Sequence, residues 1–138
     1  MTTTLVTASC AGELTQALHA FISHLDERRY DELLAAFAPQ GRWLRQGRWL
    51  EGRDAILQAL QARPAGMRVR HVMSNAWAWH GEGGVVHQEA YMTAFRQLEG
   101  EAVASLFRIN RVTSVWRRRG EGWELLEQQL LPDLEFGA

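Results

Sequence analysis

The stretch MRVRHVMSNAWAWH, residues 67–80, decides the fold, because the hydrophobic spacing changes from helical to alternating at Met67. In an extended strand alternate side chains share a face. One face of this strand would carry Val69, His71, Met73, Asn75, Trp77 and Trp79. That face is bulky and apolar except for His71 and Asn75, so it has the composition of a lining surface. Leaving a buried polar group unpaired costs about 1–3 kcal/mol, and we therefore expect both residues to have partners.

Three further alternating segments follow this strand, at about residues 84–97, 102–118 and 123–131. Short glycine-containing connections of the hairpin type, GEGG, LEGE and RGEG, separate the four segments. The pattern predicts a long antiparallel meander.

The first half of the chain is helical in its spacing. Helices are predicted near residues 11–29, 31–38 and 53–62, and GRWL, which occurs at 41–44 and 47–50, predicts two brief strands around a turn. Helices followed by a meander indicate one α+β domain over residues 1–138, with the helices covering one face of a strongly curved sheet. Residues 1–9 are expected to form a flexible tail.

Charge and cysteine content exclude several classes of function. The formal net charge is −1 and all 15 basic residues are arginine, so no basic field would attract nucleic acid or an anionic membrane. Cys10 is the one cysteine, which excludes a disulfide framework. The sequence shows neither a signal peptide nor an apolar run of the length of a membrane span. A cytoplasmic protein is expected.

Four motifs in this order resemble the nuclear transport factor 2-like superfamily, and within it the polyketide-cyclase (SnoaL-like) group. The resemblance extends from about Glu13 to Asp133, and the motifs are LDERRYDELLAAFAPQGRW (25–43), WLEGRDAI (49–56), RHVMSN (70–75) and GWELLEQQLLPD (122–133). It implies a cystatin-like, cone-shaped antiparallel sheet wrapped around the N-terminal helices and enclosing a pocket. It also implies a homodimer formed through the outer sheet face, where Val72, Ser74, Ala76 and Ala78 are expected.

The scytalone-dehydratase and bile-acid-dehydratase branches are the ones that the sequence resembles most. In them an aspartate at the end of the first helix holds a histidine at the start of the long strand, and the matching residues here are Asp26 and His71. A carboxylate on one ring nitrogen fixes the tautomer and leaves the other nitrogen to accept a substrate proton. The alternative is that the two residues form a buried structural pair without chemistry.

The resemblance to the scytalone-dehydratase branch implies which face of the second long strand points into the pocket. The residues on that face are His87, Glu89, Tyr91, Thr93 and Phe95. Thr93 then stands where that branch has its second catalytic histidine. The predicted catalytic residues are His71 and Asp26. The predicted substrate-binding residues are Tyr30, Trp43, Asn75, Glu89, Tyr91 and Asn110.

Most of these side chains have an ordinary structural alternative. Asn75 could tie down a loop, Tyr91 and Trp43 could simply pack, and Glu89 could lie in water. Arg108, on the same strand face as Asn110, would need a carboxylate partner or an anionic ligand if it pointed inward, and otherwise it marks an open rim.

The sequence favours an acid–base enzyme without a cofactor, acting as a dehydratase, isomerase or cyclase on a hydrophobic cyclic or polyketide-like substrate. The alternative is a non-catalytic binding or accessory subunit resembling the small subunit of aromatic-ring dioxygenases. Against it, we expect no N-terminal extension that could hold a large partner. No metal is predicted, although His71, His87 and Glu89 could be arranged around one.

Overall fold

The structure is a computed structural model that describes residues 3–137. Its helices are α1 (Ala8–Asp26), α2 (Tyr30–Ala36) and α3 (Gly52–Gln61). Its strands are β1 (Phe37–Arg45), β2 (Arg48–Glu51), β3 (Arg68–His80), β4 (Val86–Gln97), β5 (Ser105–Arg119) and β6 (Gly122–Glu135). A short 3₁₀ turn, Glu82–Gly84, lies between β3 and β4. No helix in the described part of the chain is long and apolar enough to cross a membrane.

The six strands form one sheet in the order β2-β1-β6-β5-β4-β3. The meander from β3 to β6 is antiparallel as predicted, but β1 runs parallel to β6. The sheet is therefore mixed, and the expectation of a purely antiparallel sheet is corrected. The reason is that β6 would otherwise be an edge strand with unpaired backbone groups, and β1 covers that edge. The repeated GRWL forms the β1–β2 hairpin, which confirms the prediction of two brief strands.

Helix α1 is amphipathic, and its buried side chains recur at helical spacing. Leu14, Leu18, Phe21, Ile22 and Leu25 lie on the buried side. The helix begins earlier than predicted, because the Thr7 hydroxyl caps it by accepting a hydrogen bond from the Cys10 N–H at 3.1 Å. It ends at Asp26, and Arg28 beyond it has a φ of 59°, which cannot continue a helix. This end fixes where the Asp26 carboxylate stands.

The N-terminal segment differs from the expected tail over residues 1–9. The Val6 N–H donates to Ala78 at 3.2 Å, and the His80 N–H donates to Thr4 at 2.9 Å. Residues 4–6 are thus paired with β3, and residues 8 and 9 belong to α1. Residues 1 and 2 lie outside the described residues.

A bulge in β3 changes which side chains point inward. The pairing with β4 shifts between Ser74 and Trp77, and Asn75 has a φ of 56°. Beyond this point Ala78 is buried, whereas Trp77 is exposed. The single inward face predicted for residues 69–79 therefore holds only as far as Met73. Ala76 and Ala78, which were expected on the outer face, point to the core.

The core lies between the helices and the inner face of the sheet. Its largest fully buried side chains include Trp43, Trp116, Phe21 and Phe37. The Trp43 indole N–H donates to Gln128 Oε1 at 2.9 Å, and Gln128 Nε2 donates to Ser114 Oγ at 3.1 Å. These hydrogen bonds satisfy a buried polar group at each residue, which allows polar side chains inside an apolar core.

Candidate active site

A cavity of about 290 Å³ opens between the end of α1, the α3–β3 connection and the inner face of the sheet. This volume is at the lower end of the range for small-molecule sites, about 300–1,000 Å³. Its polar lining includes His71, Asn110, Glu135 and four arginines. Its apolar lining includes Leu25, Met67, Val69, Met92, Phe107, Leu130 and Phe136. The cavity therefore suits a small, largely hydrophobic ligand that carries polar or charged groups.

His71 and Asp26 form a close pair beside this cavity. His71 Nδ1 lies 2.5 Å from Asp26 Oδ1, and the His71 backbone N–H donates to Asp26 Oδ2 at 2.9 Å. The two side chains are only 8% and 6% exposed. The end of α1 and the start of β3 thus hold a carboxylate and an imidazole in one fixed arrangement.

The Asp26 carboxylate determines which nitrogen of the His71 ring carries the proton. An ionised carboxylate only accepts hydrogen bonds, so Nδ1 must carry the proton. The other ring nitrogen, Nε2, then has a free lone pair, and it makes no hydrogen bond to any of residues 3–137. Since His71 lines the cavity, the pair presents a base to whatever the cavity contains.

Asn110 lies on the same inner face of the sheet, two strands away from His71. Ala94 on β4 pairs with both His71 and Arg108, and Met92 pairs with Asn110 one side-chain row further along. Asn110 is 7% exposed, and its buried Oδ1 has no partner within the described chain. An unpaired buried amide oxygen at a cavity wall can accept a hydrogen bond from a ligand.

Four arginines line the cavity: Arg45, Arg63, Arg96 and Arg108. Arg108 pairs with Glu135, with Nε and Oε1 3.1 Å apart. Arg108 therefore lines the cavity and has a carboxylate partner, and because Glu135 is 59% exposed the pair lies at the open rim of the cavity. Burial and, to a smaller extent, the neighbouring Arg63 guanidinium lower the pKa of Arg45.

The predicted substrate-binding residues divide into three groups. Asn110 lines the cavity as predicted. Tyr30 lies behind the cavity wall, where its hydroxyl accepts a hydrogen bond from Arg63 Nη1 at 3.0 Å. Trp43 is fully buried in the core and does not line the cavity, because its indole is held by Gln128.

The remaining three predicted contacts lie outside the cavity. Asn75 is exposed at the β3 bulge. Glu89 and Tyr91 are on the outer face of β4, because the residues that alternate with them, Gln88, Ala90, Met92 and Ala94, are buried. The inward assignment of His87, Glu89, Tyr91, Thr93 and Phe95 is therefore wrong. The residues of this strand that face the core are Val86, Gln88, Ala90, Met92 and Ala94.

Because His87 and Glu89 face outward, they cannot join His71 in the metal-binding arrangement that the sequence allowed. His87 and Glu89 are separated from His71 by the thickness of the sheet. Within residues 3–137 no group of three or more histidine, cysteine or acidic side chains is arranged to hold a metal ion.

Sequence reasoning missed three of the cavity arginines as site residues: Arg45, Arg63 and Arg96. Arg96 could have been found, because it continues the alternation of Met92 and Ala94. Arg45 could also have been found, because it ends β1 on the same face as the buried Trp43. Arg63 lies in the connection after α3, where no periodic pattern predicts the direction of a side chain.

Comparison with known proteins places this architecture in a family. The model of the SnoaL-like domain matches residues 8–128. The chain belongs to the SnoaL-like domain family. No curated protein matches the sequence of this SnoaL-like chain.

Solved structures share the fold of this SnoaL-like protein at low sequence identity. Aln2 from a Streptomyces species superposes with a TM-score of 0.83 at 18% identity, with 94% of each chain covered. A putative scytalone dehydratase from Novosphingobium aromaticivorans superposes with a TM-score of 0.78 at 15% identity, covering 91% of this chain and 87% of its own.

The third similar structure is described as a subunit of a larger enzyme. It is the beta subunit of a putative aromatic-ring-hydroxylating dioxygenase from Novosphingobium aromaticivorans, with a TM-score of 0.78, 15% identity and coverage of 94% and 93%. These likenesses, and that of a further solved structure described as having a cystatin-like fold, confirm the predicted cystatin-like α+β fold. At such identities they carry the fold alone, so function depends on the residues of the cavity.

Proposed function

We propose that this SnoaL-like protein is an acid–base enzyme that removes a proton beside a carbonyl group of a hydrophobic, cyclic substrate. The observation that carries the proposal is the His71–Asp26 pair at the cavity wall: the carboxylate holds Nδ1, which leaves Nε2 as the ring nitrogen free to act on a ligand, and His71 lines the cavity. A purely structural pair would not require a cavity at the free nitrogen.

In the proposed step, His71 Nε2 takes a proton from the carbon next to the carbonyl. The electron pair of the broken C–H bond forms a carbon–carbon double bond, and the carbonyl π electrons move to the oxygen to give an enolate. The ring becomes an imidazolium ion, which the Asp26 carboxylate stabilises. Asn110, whose amide group also has N–H donors, is the residue proposed to bind the developing oxyanion.

The enolate then has three outcomes that use the same first step. Reprotonation at another carbon gives isomerisation, and attack on a second carbonyl gives cyclisation. Loss of a β-hydroxyl gives dehydration, in which the imidazolium returns its proton and water leaves. For dehydration, this chain lacks the second histidine of the scytalone-dehydratase branch, because Thr93 stands at that position and points outward.

The proposal is tested without knowledge of the natural substrate by hydrogen–deuterium exchange at the carbon beside the carbonyl of 1-tetralone and 2-tetralone. We expect the protein in D₂O to accelerate exchange, as followed by NMR. His71→Asn should lose about 10²–10⁴-fold of this acceleration. The matched control is His19→Asn, since His19 is an exposed histidine on α1.

Two results would overturn the assignment of His71 as base. One is exchange at an unchanged rate in a folded His71→Asn variant. The other is loss of the folded far-UV circular dichroism signal in that variant, which would favour the structural pair.

The accessory-subunit alternative makes a different prediction. There His71 would be structural, and the chain would bind a large iron-containing partner like the one that a dioxygenase beta subunit serves. Stable co-purification with such a partner, together with no exchange activity, would favour this alternative over the enzyme.

We also propose that the protein is a homodimer formed through the outer face of the sheet. Two large apolar side chains are well exposed there, Val72 at 55% and Trp77 at 46%, and Tyr91 and Phe95 lie on the same face. Exposed apolar groups that cluster on one face indicate an interaction surface. Ala76 and Ala78 take no part, because they face the core.

A further inference from the structure

The cavity holds far more positive than negative charge. Four guanidinium groups line it, and Glu135 is the one carboxylate among the lining residues. The Asp26 carboxylate beside it is occupied by His71. A small cavity with this charge is poorly suited to a neutral hydrocarbon.

Two of the four arginines have partners that account for them. Arg108 is paired with Glu135. Arg96 stacks its guanidinium on the Phe107 ring, 4.5 Å from the centroid, which is the geometry of a cation–π interaction. These two groups are held by the protein itself.

Arg63 is only partly accounted for. It is 9% exposed, and its Nη1 donates to the Leu25 carbonyl at 2.8 Å and to the Tyr30 hydroxyl at 3.0 Å. The carbonyl belongs to the last turn of α1, where a positive charge is favourable. Its buried Nε has no partner in the described chain, although a buried guanidinium normally uses all its donors.

Arg45 adds a second positive charge to the cavity lining, and its guanidinium lies 5.8 Å from the Trp43 ring centroid, near the limit for a cation–π interaction. Arg45 and Arg63 line the same cavity, and burial and, to a smaller extent, the Arg63 guanidinium lower the pKa of Arg45. No aspartate or glutamate oxygen among residues 3–137 lies within 4.0 Å of either guanidinium. Two neighbouring, partly desolvated cations without an anion are unfavourable unless a ligand supplies the negative charge.

We infer that Arg45 and Arg63 form a carboxylate-binding subsite, so that the cavity takes a cyclic carboxylic acid. A carboxylate is planar and matches the fork of a guanidinium. A carboxylate is also smaller than a phosphate group, so it leaves most of the 290 Å³ for a hydrocarbon ring against Leu25, Met92 and Leu130. The inference rests on the proposed function, because it places the acid group of the substrate in the same cavity as His71.

Binding of a matched pair of ligands tests this subsite. The probes are 2-naphthylacetate and 2-naphthylacetamide, which differ in the charge of one group, and the dissociation constants are measured by isothermal titration calorimetry. We expect the acid to bind about tenfold or more tightly than the amide. Equal binding of the two, or no binding of either at millimolar concentration, would overturn the inference. Tighter binding of 2-naphthyl phosphate than of the acid would also overturn it in favour of a phosphate site.

Variants of Arg45 and Arg63 test whether these two residues cause the preference for the acid over the amide. Arg45→Met should abolish the preference for the acid, and Arg63→Lys, which keeps the charge and loses the fork, should reduce it. Arg45 makes no hydrogen bond in the described chain, so this variant is expected to fold. Arg111→Met is the control, because Arg111 is exposed on β5 away from the cavity. A preference that survives Arg45→Met would contradict the assignment.

The two proposals fail in different ways. His71→Asn should keep the preference for the acid while losing tetralone exchange. Exchange without any preference for the acid would remove the carboxylate subsite and leave the proposed function. A preference for the acid without exchange in the wild-type protein would remove the enzyme and leave a binding protein for carboxylic acids.

Discussion

Replacing Asp26 with asparagine is expected to change the tautomer of the His71 imidazole, so that the ring can no longer act as a base. The carboxylate accepts two hydrogen bonds from His71, one from the backbone N–H at 2.9 Å and one from Nδ1 at 2.5 Å. An asparagine oxygen can accept one of them, but the amide N–H₂ then faces the other donor. If the amide donates to Nδ1, the ring proton moves to Nε2, and the nitrogen that faces the cavity can no longer accept a proton.

The magnitude follows from the burial of this pair. Both side chains are less than a tenth exposed, and a hydrogen bond to a charged group contributes about 1.5–3 kcal/mol. Because one such bond is lost, we expect Asp26→Asn to lower the free energy of unfolding by about 1.5–3 kcal/mol. Tetralone exchange should fall by about 10²–10⁴-fold, the full contribution of a general base.

Urea denaturation gives the stability change, and ¹⁵N NMR of the histidine ring gives the tautomer. The control is Glu27→Gln, because Glu27 is the next carboxylate along the chain and forms an exposed ion pair with Arg70. That variant should change stability by about 1 kcal/mol or less. An Asp26→Asn variant with an unchanged Nδ1–H tautomer and unchanged exchange would refute this account of the pair.

Three other predictions concern the core and the outer face. Gln128→Leu should lower the free energy of unfolding in urea by about 1–3 kcal/mol, because it leaves the buried Trp43 indole N–H unpaired; an unchanged midpoint would contradict this. Glu89→Gln should leave tetralone exchange unchanged, since Glu89 faces away from the cavity, and a large loss of exchange would show that it reaches the site. Light scattering at micromolar concentration should give a dimer for the wild type and a monomer for Val72→Arg, whereas a monomeric wild type would rule out the outer-face dimer.

The sequence predicted the fold and the central pair of the site because both depend on regular features. The change of hydrophobic period at Met67 marks the start of the four-stranded meander. Asp26 ends a helix and His71 begins a strand, so the family order of elements brings them together. The parallel contact of β1 with β6 has no such signal, because strand pairing between distant segments leaves no local pattern.

The errors in the site have two physical sources. The bulge at Asn75 shifts the alternation of β3 by one residue, so an uninterrupted period of two assigns the wrong face beyond it. On β4, both faces of the alternation contain apolar residues, and the matching to a relative chose the face with Glu89 and Tyr91. Alanines 90 and 94 occupy the inner face instead, where the core and the cavity leave room for small side chains.

The most direct test of the central claim is a crystal structure with a bicyclic keto acid, such as a tetralone that carries a carboxymethyl group, bound in the cavity. We expect the carbon beside the ketone to lie within about 3.5 Å of His71 Nε2. We also expect the carboxylate to contact Arg45 and Arg63. A bound ligand with no carbonyl-bearing part near Nε2, although the His71–Asp26 pair is intact, would contradict the assignment of His71 as the base.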